Sequence, residues 1–554
     1  MLVNKQVLYA WALLLIMANT HSVAAGPQIP QSRPGDEKLP LESAPSAAAV
    51  MAVPLAPEKP VIHKAQPRFV LKRIRLHGNN RISTRHLLEQ VQSFVGRQVS
   101  SADLRVMRLA LTRYYIQQGY INSGALLPDQ SIKNGVVHYQ IVEGKLSDVS
   151  VKGNDKYHKR YFKKRIAYGL SEVLNIRGLE NNLKRLQVQP GIGGLHARLL
   201  PADRLGQSRL LVELEETPQK GFQWAVDNSN ASSVGESRTG LSFVHDNLFG
   251  GGQQINLDAQ LNENMHDYQI GVLWPITASG MSLYLAYRES QSQIIEWPFE
   301  PIHIGSISRD QTAGLRIPVS RYVRRPQWLS MEVSKRRSRT TLAGEPFTIS
   351  DGFQQGEAHV SVGRLIYEWR YYAGRQTIAL RGKLSMGFDA WDATENVQRP
   401  DGKFTSFIGQ FIYFLRPAVR HQVLFQISTQ TSNEPLLSLE QFSLGGANSV
   451  RGYPENLTTA DKASVSSLEW RYKVLTGTRL WLLLFGDYGH AWNEERKVGD
   501  ANELAGVGAG LIWQFGKVSE LKLEFGEALI DIPRKRGDLQ EHGLHVAFKS
   551  GFRF

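Results

Sequence analysis

From residue 221 to residue 554 the chain repeats one pattern: short runs of alternating apolar and polar residues, broken by Gly, Pro, Asn and Asp. Ile255, Leu257, Ala259 and Leu261 alternate with Asn256, Asp258 and Gln260, and Tyr268, Ile270, Val272 and Trp274 keep the same period. His421, Val423, Phe425 and Ile427 alternate with Gln422, Leu424, Gln426 and Ser428. Leu468, Trp470, Tyr472 and Val474 alternate with Ser467, Glu469, Arg471 and Lys473. The last run sets Leu544, Val546, Phe548, Phe552 and Phe554 against His545, Ala547, Lys549 and Arg553. A period of two sends each set to its own face of a strand. A soluble β-sandwich alternates as well, so the polar face decides. It carries Arg, Lys, Glu, Asp and Gln, while Trp274, Trp470 and Trp513 stand near strand ends on the apolar face. That distribution suits a sheet with lipid outside and water inside, and such a sheet must close because an unpaired edge in hydrocarbon costs several kcal/mol per group. About sixteen runs have the length a tilted strand needs to cross a bilayer. The expected fold class is mainly β: a 16-stranded antiparallel transmembrane β-barrel over residues 218–554.

Upstream the period changes. Residues 69–77 alternate as a strand, Gly78-Asn79-Asn80 turns the chain, and Ser83 opens a helix with Leu87, Leu88, Val91 and Phe94 on one face. Ser101 is expected to cap a second helix, with Asp103 in its first turn and Leu104, Met107, Ala110, Leu111, Tyr114 and Tyr115 along its face; Gly119 closes it. Strands at 121–127 and 136–142 complete a β-α-α-β-β unit over 68–144. The same order returns over 145–217: a strand at 146–152, helices at 161–168 and 179–188, strands at 191–200 and 208–215. This is an internal repeat. Units of this size leave a strand edge and a helix face free for partners.

The first 25 residues read as a secretory signal: Lys5, an apolar run at 7–17, then Val23-Ala24-Ala25. The run is too short to span a bilayer, and no later segment is long and apolar enough to do so as a helix. Residues 26–67 are a Pro- and Ala-rich leader with one helical prospect at 44–52. The absence of cysteine excludes disulfides, thiolate metal sites and a cysteine nucleophile. A net charge of +14 raises nucleic acid as a partner. Nucleic acid is nevertheless not expected, and the charge is assigned to basic side chains scattered through loops and a polar interior.

One stretch does not fit a strand or a helix. Residues 441–455 hold Gly445, Gly446, Gly452 and Pro454. Within that frame Val450-Arg451-Gly452-Tyr453 sets an apolar side chain, a fixed cation and an aromatic ring side by side. Strand-like runs lie on both sides. The local pattern alone leaves two readings open: a surface hairpin with a solvated Arg, or a long loop whose tip docks elsewhere.

Taken in order, the signal, the leader, two β-α-α-β-β units and a barrel bearing this loop resemble the two-partner secretion transporters, the TpsB or ShlB/FhaC/HecB haemolysin-activator family of the BamA-like superfamily. The resemblance is carried by the two units, Val450-Arg451-Gly452-Tyr453, Phe485-Gly486-Asp487-Tyr488-Gly489 and the terminal Phe554. It implies that 68–144 and 145–217 are periplasmic POTRA domains and that loop 433–462 folds back into the barrel lumen. There Arg451 would pair with Asp487 on the thirteenth strand, with Glu469 on the neighbouring strand as a second acceptor. Asp487 shares a face with Leu483 and Phe485, opposite Leu482 and Leu484, so parity alone does not send it inward; the cost of a lipid-facing carboxylate does. Val450, Gly452, Tyr453, Phe485 and Gly489 complete the loop-anchoring set, and Phe552 and Phe554 form an assembly signal.

The implied function is recognition of an unfolded exoprotein by the POTRA domains and its translocation to the cell surface, in type V secretion. The implied partners are a secreted TpsA-type exoprotein, outer-membrane lipid and the outer-membrane assembly machinery, with the protein a monomer in the outer membrane of a Gram-negative bacterium. No cofactor, metal or nucleotide is implied, and the chain has no phosphate-binding Gly-rich loop. An alternative is a membrane-protein insertase of the same superfamily, although such proteins carry more modules. An outer-membrane hydrolase finds only His245-Asp246 and His266-Asp267, adjacent pairs that a strand sends to opposite faces, and neither Gly-x-Ser-x-Gly nor His-Glu-x-x-His; an enzyme is not expected. A diffusion porin would leave the two units without a role. Many family members also carry an amphipathic plug helix; residues 26–60 show no such face, and the plug is expected to be short, at 44–53, or absent.

Overall fold

The computed structural model describes residues 51–52, 68–297, 299–320, 322–397, 400–475, 477–493, 502–516, 518–532 and 537–554. The signal segment and the leader, apart from Met51–Ala52, lie outside the described residues, and so does most of the expected plug. The chain divides between Thr217 and Pro218 into two compact units.

In the first unit the β-α-α-β-β order occurs twice. Strand Arg73–His77 pairs parallel with Val136–Val142, which pairs antiparallel with Gly124–Leu126. Helices α1 (Thr84–Glu89) and α2 (Ser101–Gln117) contribute Leu87, Met107, Leu111 and Tyr115 to a core with Leu71, Val137 and Tyr139. The cap of α2 is Ser100 rather than the expected Ser101. Ser100 is three residues before Asp103, so its hydroxyl accepts from the Asp103 amide while the Asp103 carboxylate accepts from the Ser100 amide. From Ser101 the same spacing reaches Leu104, which has nothing to return.

The second copy repeats the topology. Lys145–Lys152 pairs parallel with Gln207–Glu216, which pairs antiparallel with Ile192–Pro201. Helices α3 (Lys159–Ala167) and α4 (Ile176–Gln187) bury Phe162, Ile166, Leu179 and Leu183 against Leu195, Leu210 and Val212. The start of α4 meets the end of α2: the Asn175 side-chain amide donates to the Gln118 carbonyl at 3.1 Å and the Ile176 amide to the Gly119 carbonyl at 2.9 Å. Met51–Ala52, at the end of the segment expected to be helical, is instead extended and pairs parallel with Ala197 and Arg198 on an otherwise open edge.

The second unit is a closed antiparallel barrel of sixteen long strands. In chain order they are β1 (Lys220–Asp227), β2 (Arg238–His245), β3 (Gln254–Leu261), β4 (Met265–Pro275), β5 (Ser282–Gln293), β6 (Ile304–Pro318), β7 (Gln327–Leu342) and β8 (Glu357–Ala373). They continue as β9 (Gln376–Gly387), β10 (Thr405–Ala418), β11 (His421–Ser432), β12 (Lys462–Lys473), β13 (Leu480–Trp492), β14 (Glu503–Phe515), β15 (Ser519–Ala528) and β16 (Leu544–Arg553). β16 closes on β1, with Phe552 opposite Phe222 and Phe548 opposite Val226, and the Phe554 amide donates to the Lys220 carbonyl at 3.0 Å. Alternation sets the two faces as expected. Trp274, Leu468, Trp470 and Trp513 are exposed on the outer wall, whereas Glu469, Asp487, Glu524 and His545 are buried within.

Candidate functional site

The connection from β11 to β12, residues 433–461, is largely buried rather than laid over a surface. It opens on a small hairpin in which Phe442–Leu444 pairs with Thr458–Ala460, so the glycine-framed stretch begins in a strand that its composition did not announce. Phe442, Leu444, Val450 and Tyr453 are fully buried together with Ala463 of β12, Ala491 of β13 and Leu504 of β14. An apolar packing of this kind fixes the loop against the wall before any charge is counted.

Arg451 then makes the central contact. Its Nε and Nη2 donate to the two oxygens of Asp487 at 2.7 and 2.8 Å, and its own amide donates to Asp487 Oδ2 at 3.1 Å. Nη1 donates to Glu469 of β12 at 2.7 Å and to Glu524 of β15 at 2.6 Å, and Nη2 also reaches the Ser467 hydroxyl at 3.1 Å. Below the guanidinium the Phe485 ring lies 3.5 Å from Cζ, a cation–π contact on the same strand face as Asp487. Arg471 and Lys522 flank the acids, on Glu469 and Glu524 respectively. Three cations thus balance three carboxylates. The side chains of Arg451, Asp487, Glu469 and Glu524 are no more than 6% exposed, so removing one partner would strand the rest at about 3–5 kcal/mol.

Backbone fit does the remaining positioning. A Cβ on Gly489 would lie 2.4 Å from Leu444 Cδ2 and 2.8 Å from Val450 Cγ2, so any larger residue there would push these two buried side chains aside. On the other side Gly452, at φ +94°, runs against residues 526–528, and a Cβ on Gly526 would approach the Gly452 amide nitrogen to 2.5 Å. The Tyr453 hydroxyl sits between two backbone segments, 3.0 and 2.9 Å from the Ala505 and Ile530 carbonyl oxygens and 3.3 and 3.2 Å from their amides.

All the residues singled out on β12, β13 and the loop therefore come together, and Glu469 binds at the same time as Asp487 rather than instead of it. Glu524, Ser467 and Gly526 were missed; inward parity on their strands was the available signal, but nothing in sequence says that β15 faces the loop. Phe552 and Phe554 lie at the closing seam, 5.6 Å apart between ring centroids, away from this cluster. The two His-Asp pairs serve ion pairing: Asp246 holds Arg553 at 2.5 Å, and Asp267 holds Arg288 at 2.7 Å.

Comparison with known proteins adds the decisive observation. The profile of the haemolysin secretion/activation protein ShlB/FhaC/HecB family matches residues 206–512, more than half the chain. The chain belongs to this family. A ShlB-type POTRA domain profile matches residues 69–144, the first β-α-α-β-β unit. The outer membrane transporter CdiB of Dickeya dadantii is 24% identical over 465 residues, covering 80% of each chain. The heme/hemopexin transporter protein HuxB of Haemophilus influenzae is 22% identical over 473 residues, covering 81% of this chain and 82% of its own. The solved structure of CdiB from Escherichia coli shares the fold, with a TM-score of 0.67 at 20% identity over 90% of this chain and 93% of that one. This ShlB/FhaC/HecB protein is an outer-membrane transporter of the two-partner secretion type, with its POTRA region in the periplasm of a Gram-negative cell. β1 starts from the periplasmic side, so the β11–β12 connection is the sixth on the extracellular side.

Proposed function

We propose that the protein exports one large unfolded polypeptide, and that the Arg451 cluster sets the path through the pore by fixing the loop 433–461. The observation that supports this most directly is the burial of a five-donor guanidinium among Asp487, Glu469 and Glu524. A loop needed only at the surface has no use for so costly an arrangement. A sixteen-stranded barrel is wide enough for an aqueous channel, and a loop held inside it leaves only what the loop allows. Val450, Gly452, Tyr453, Phe485 and Gly489 seat the tip so that Arg451 reaches its acids.

The passenger is a TpsA-type exoprotein, captured in extended form by an open strand edge or helix groove of the two POTRA-like units, residues 68–217. The protein acts as a monomer. No bond is made or broken, and folding of the passenger outside supplies direction because a folded chain does not slide back. Phe552 and Phe554, beside the β1–β16 seam, serve as the signal read by the outer-membrane assembly machinery. Arg451→Ala is expected to reach the outer membrane as a heat-modifiable barrel and to lose most export of the passenger. Normal export at normal surface level removes the loop from the mechanism. Deleting 68–217 separates an exporter from a porin: small solutes still pass, and the passenger no longer does.

A further inference from the structure

The stem of the same loop is held a second time, on a different wall. Glu440, two residues before the Phe442–Leu444 strand, has a side chain only 3% exposed. Its Oε1 accepts from Arg336 Nη1 of β7 at 2.7 Å and from Arg364 Nη2 of β8 at 2.6 Å. Arg336 Nη1 also donates to the Leu439 carbonyl at 2.5 Å, and its Nε and Nη2 reach Asp310 of β6 at 3.1 and 3.3 Å. Gln430 of β11, itself buried, donates to the carbonyls of Glu440 at 3.0 Å and Asp461 at 3.1 Å, and so joins the two ends of the loop.

Two facts give this cluster a meaning of its own. β7 and β13 are six strands apart in a ring of sixteen, so the contacts at Glu440 and Arg451 hold the loop from well-separated sectors of the wall. Their polarity is also reversed: at Arg451 the loop brings the cation and the wall the acids, whereas at Glu440 the loop brings the acid and the wall the cations. A buried carboxylate is tolerated only where its charge is answered. The stem can therefore rest in that sector only while Arg336 and Arg364 face it.

We propose that Glu440 is a second positioning residue of the transporter: with Arg336 and Arg364 it forms a latch that, together with Arg451, stretches the loop across the lumen, and passage of the polypeptide requires release of at least one end. This rests on the reading that the loop governs export, and the two are tested apart. Asn448 and Glu345 are both exposed in a chain without cysteine, so Asn448→Cys and Glu345→Cys give a nitroxide pair that reads loop position in the intact protein. The unaltered protein is expected to give one narrow distance. Glu440→Gln, which keeps size and removes charge, broadens it and lowers export about tenfold, while Glu440→Asp, which keeps charge and loses size, retains more of both. A role in packing alone gives the opposite ranking and overturns the proposal, as does an unchanged narrow distance in Glu440→Gln. Should Glu440→Gln fail to assemble, Arg364→Gln carries the same test, because it leaves the Arg336–Asp310 pair in place. A broadened distance with normal export keeps the latch and removes the export role given to the loop.

Discussion

The strand Gln207–Glu216 and the strand β12 alternate in the same way and mean opposite things. In Gln207–Glu216, Leu210 and Val212 are fully buried and Leu214 nearly so, while Arg209 and Glu215 face out. In β12, Leu468 is 54% and Trp470 38% exposed, while Glu469 is 4% exposed and holds Arg451. The first unit packs apolar side chains between helices and sheet; the barrel turns them outward and spends its interior on ion pairs. Lys and Arg outnumber Asp and Glu about two to one across residues 68–217, whereas the barrel cluster balances cation against carboxylate. The basic excess of the chain is thus concentrated in the first unit, not scattered as composition alone had suggested. Alternation fixes a face, and the solvent on each side fixes which face is the core.

The sharpest way to break this contrast is to remove one carboxylate from each kind of ion pair. Asp487→Asn strands a buried guanidinium and is expected to cost about 3–5 kcal/mol, seen as a lower denaturant midpoint for the barrel. Asp148→Asn breaks the Lys163–Asp148 pair, whose side chains are about half exposed, and is expected to cost about 0–1 kcal/mol. Equal effects would mean that the lumen is as wet as the surface. Truncating leucines tests the apolar side. Leu210→Ala opens a cavity in the first unit and should cost about 2–5 kcal/mol, whereas Leu468→Ala trades contact with lipid tails and should leave barrel stability little changed in detergent or bilayer. A smaller effect than the Leu210 cavity is expected at the α2 cap. Asp103→Ala should cost about 0.3–1 kcal/mol, measured on the first unit by urea titration. Hydrogen bonds from the Ser100 amide and hydroxyl hold the Asp103 carboxyl below its ordinary value. Its contribution is therefore present above the ordinary aspartate range and is lost as pH falls through the lowered value, so the gap between Asp103→Ala and the unaltered protein should close in acid.

Much of this was legible beforehand, and its limits have identifiable causes. The two β-α-α-β-β repeats stood out because helix and strand periods are local. The cap of α2 was misplaced by one residue because two serines adjoin, and only the reciprocal spacing to Asp103 separates them. The pairing of Met51–Ala52 with Ala197 and Arg198 was not readable, since a two-residue strand at an edge has no periodicity of its own. On β13, Leu482 through Phe485 are apolar on both faces, so the cost of charge in lipid, not the pattern, sends Asp487 inward.

The succession of elements and, on most strands, the face turned to lipid were set by sequence pattern alone, whereas the pairing of Arg451 with a carboxylate was implied only by the family resemblance. The first two follow from periods of two and 3.6 and from the expense of unpaired charge. Only the closed barrel decided that Glu469, Asp487 and Glu524, on three different strands, converge on that one guanidinium, and that Glu440 meets Arg336 and Arg364 in another sector. Strand neighbours can be inferred from order, but contacts from a loop crossing the lumen depend on where a closed ring brings its walls, and no local pattern encodes that distance.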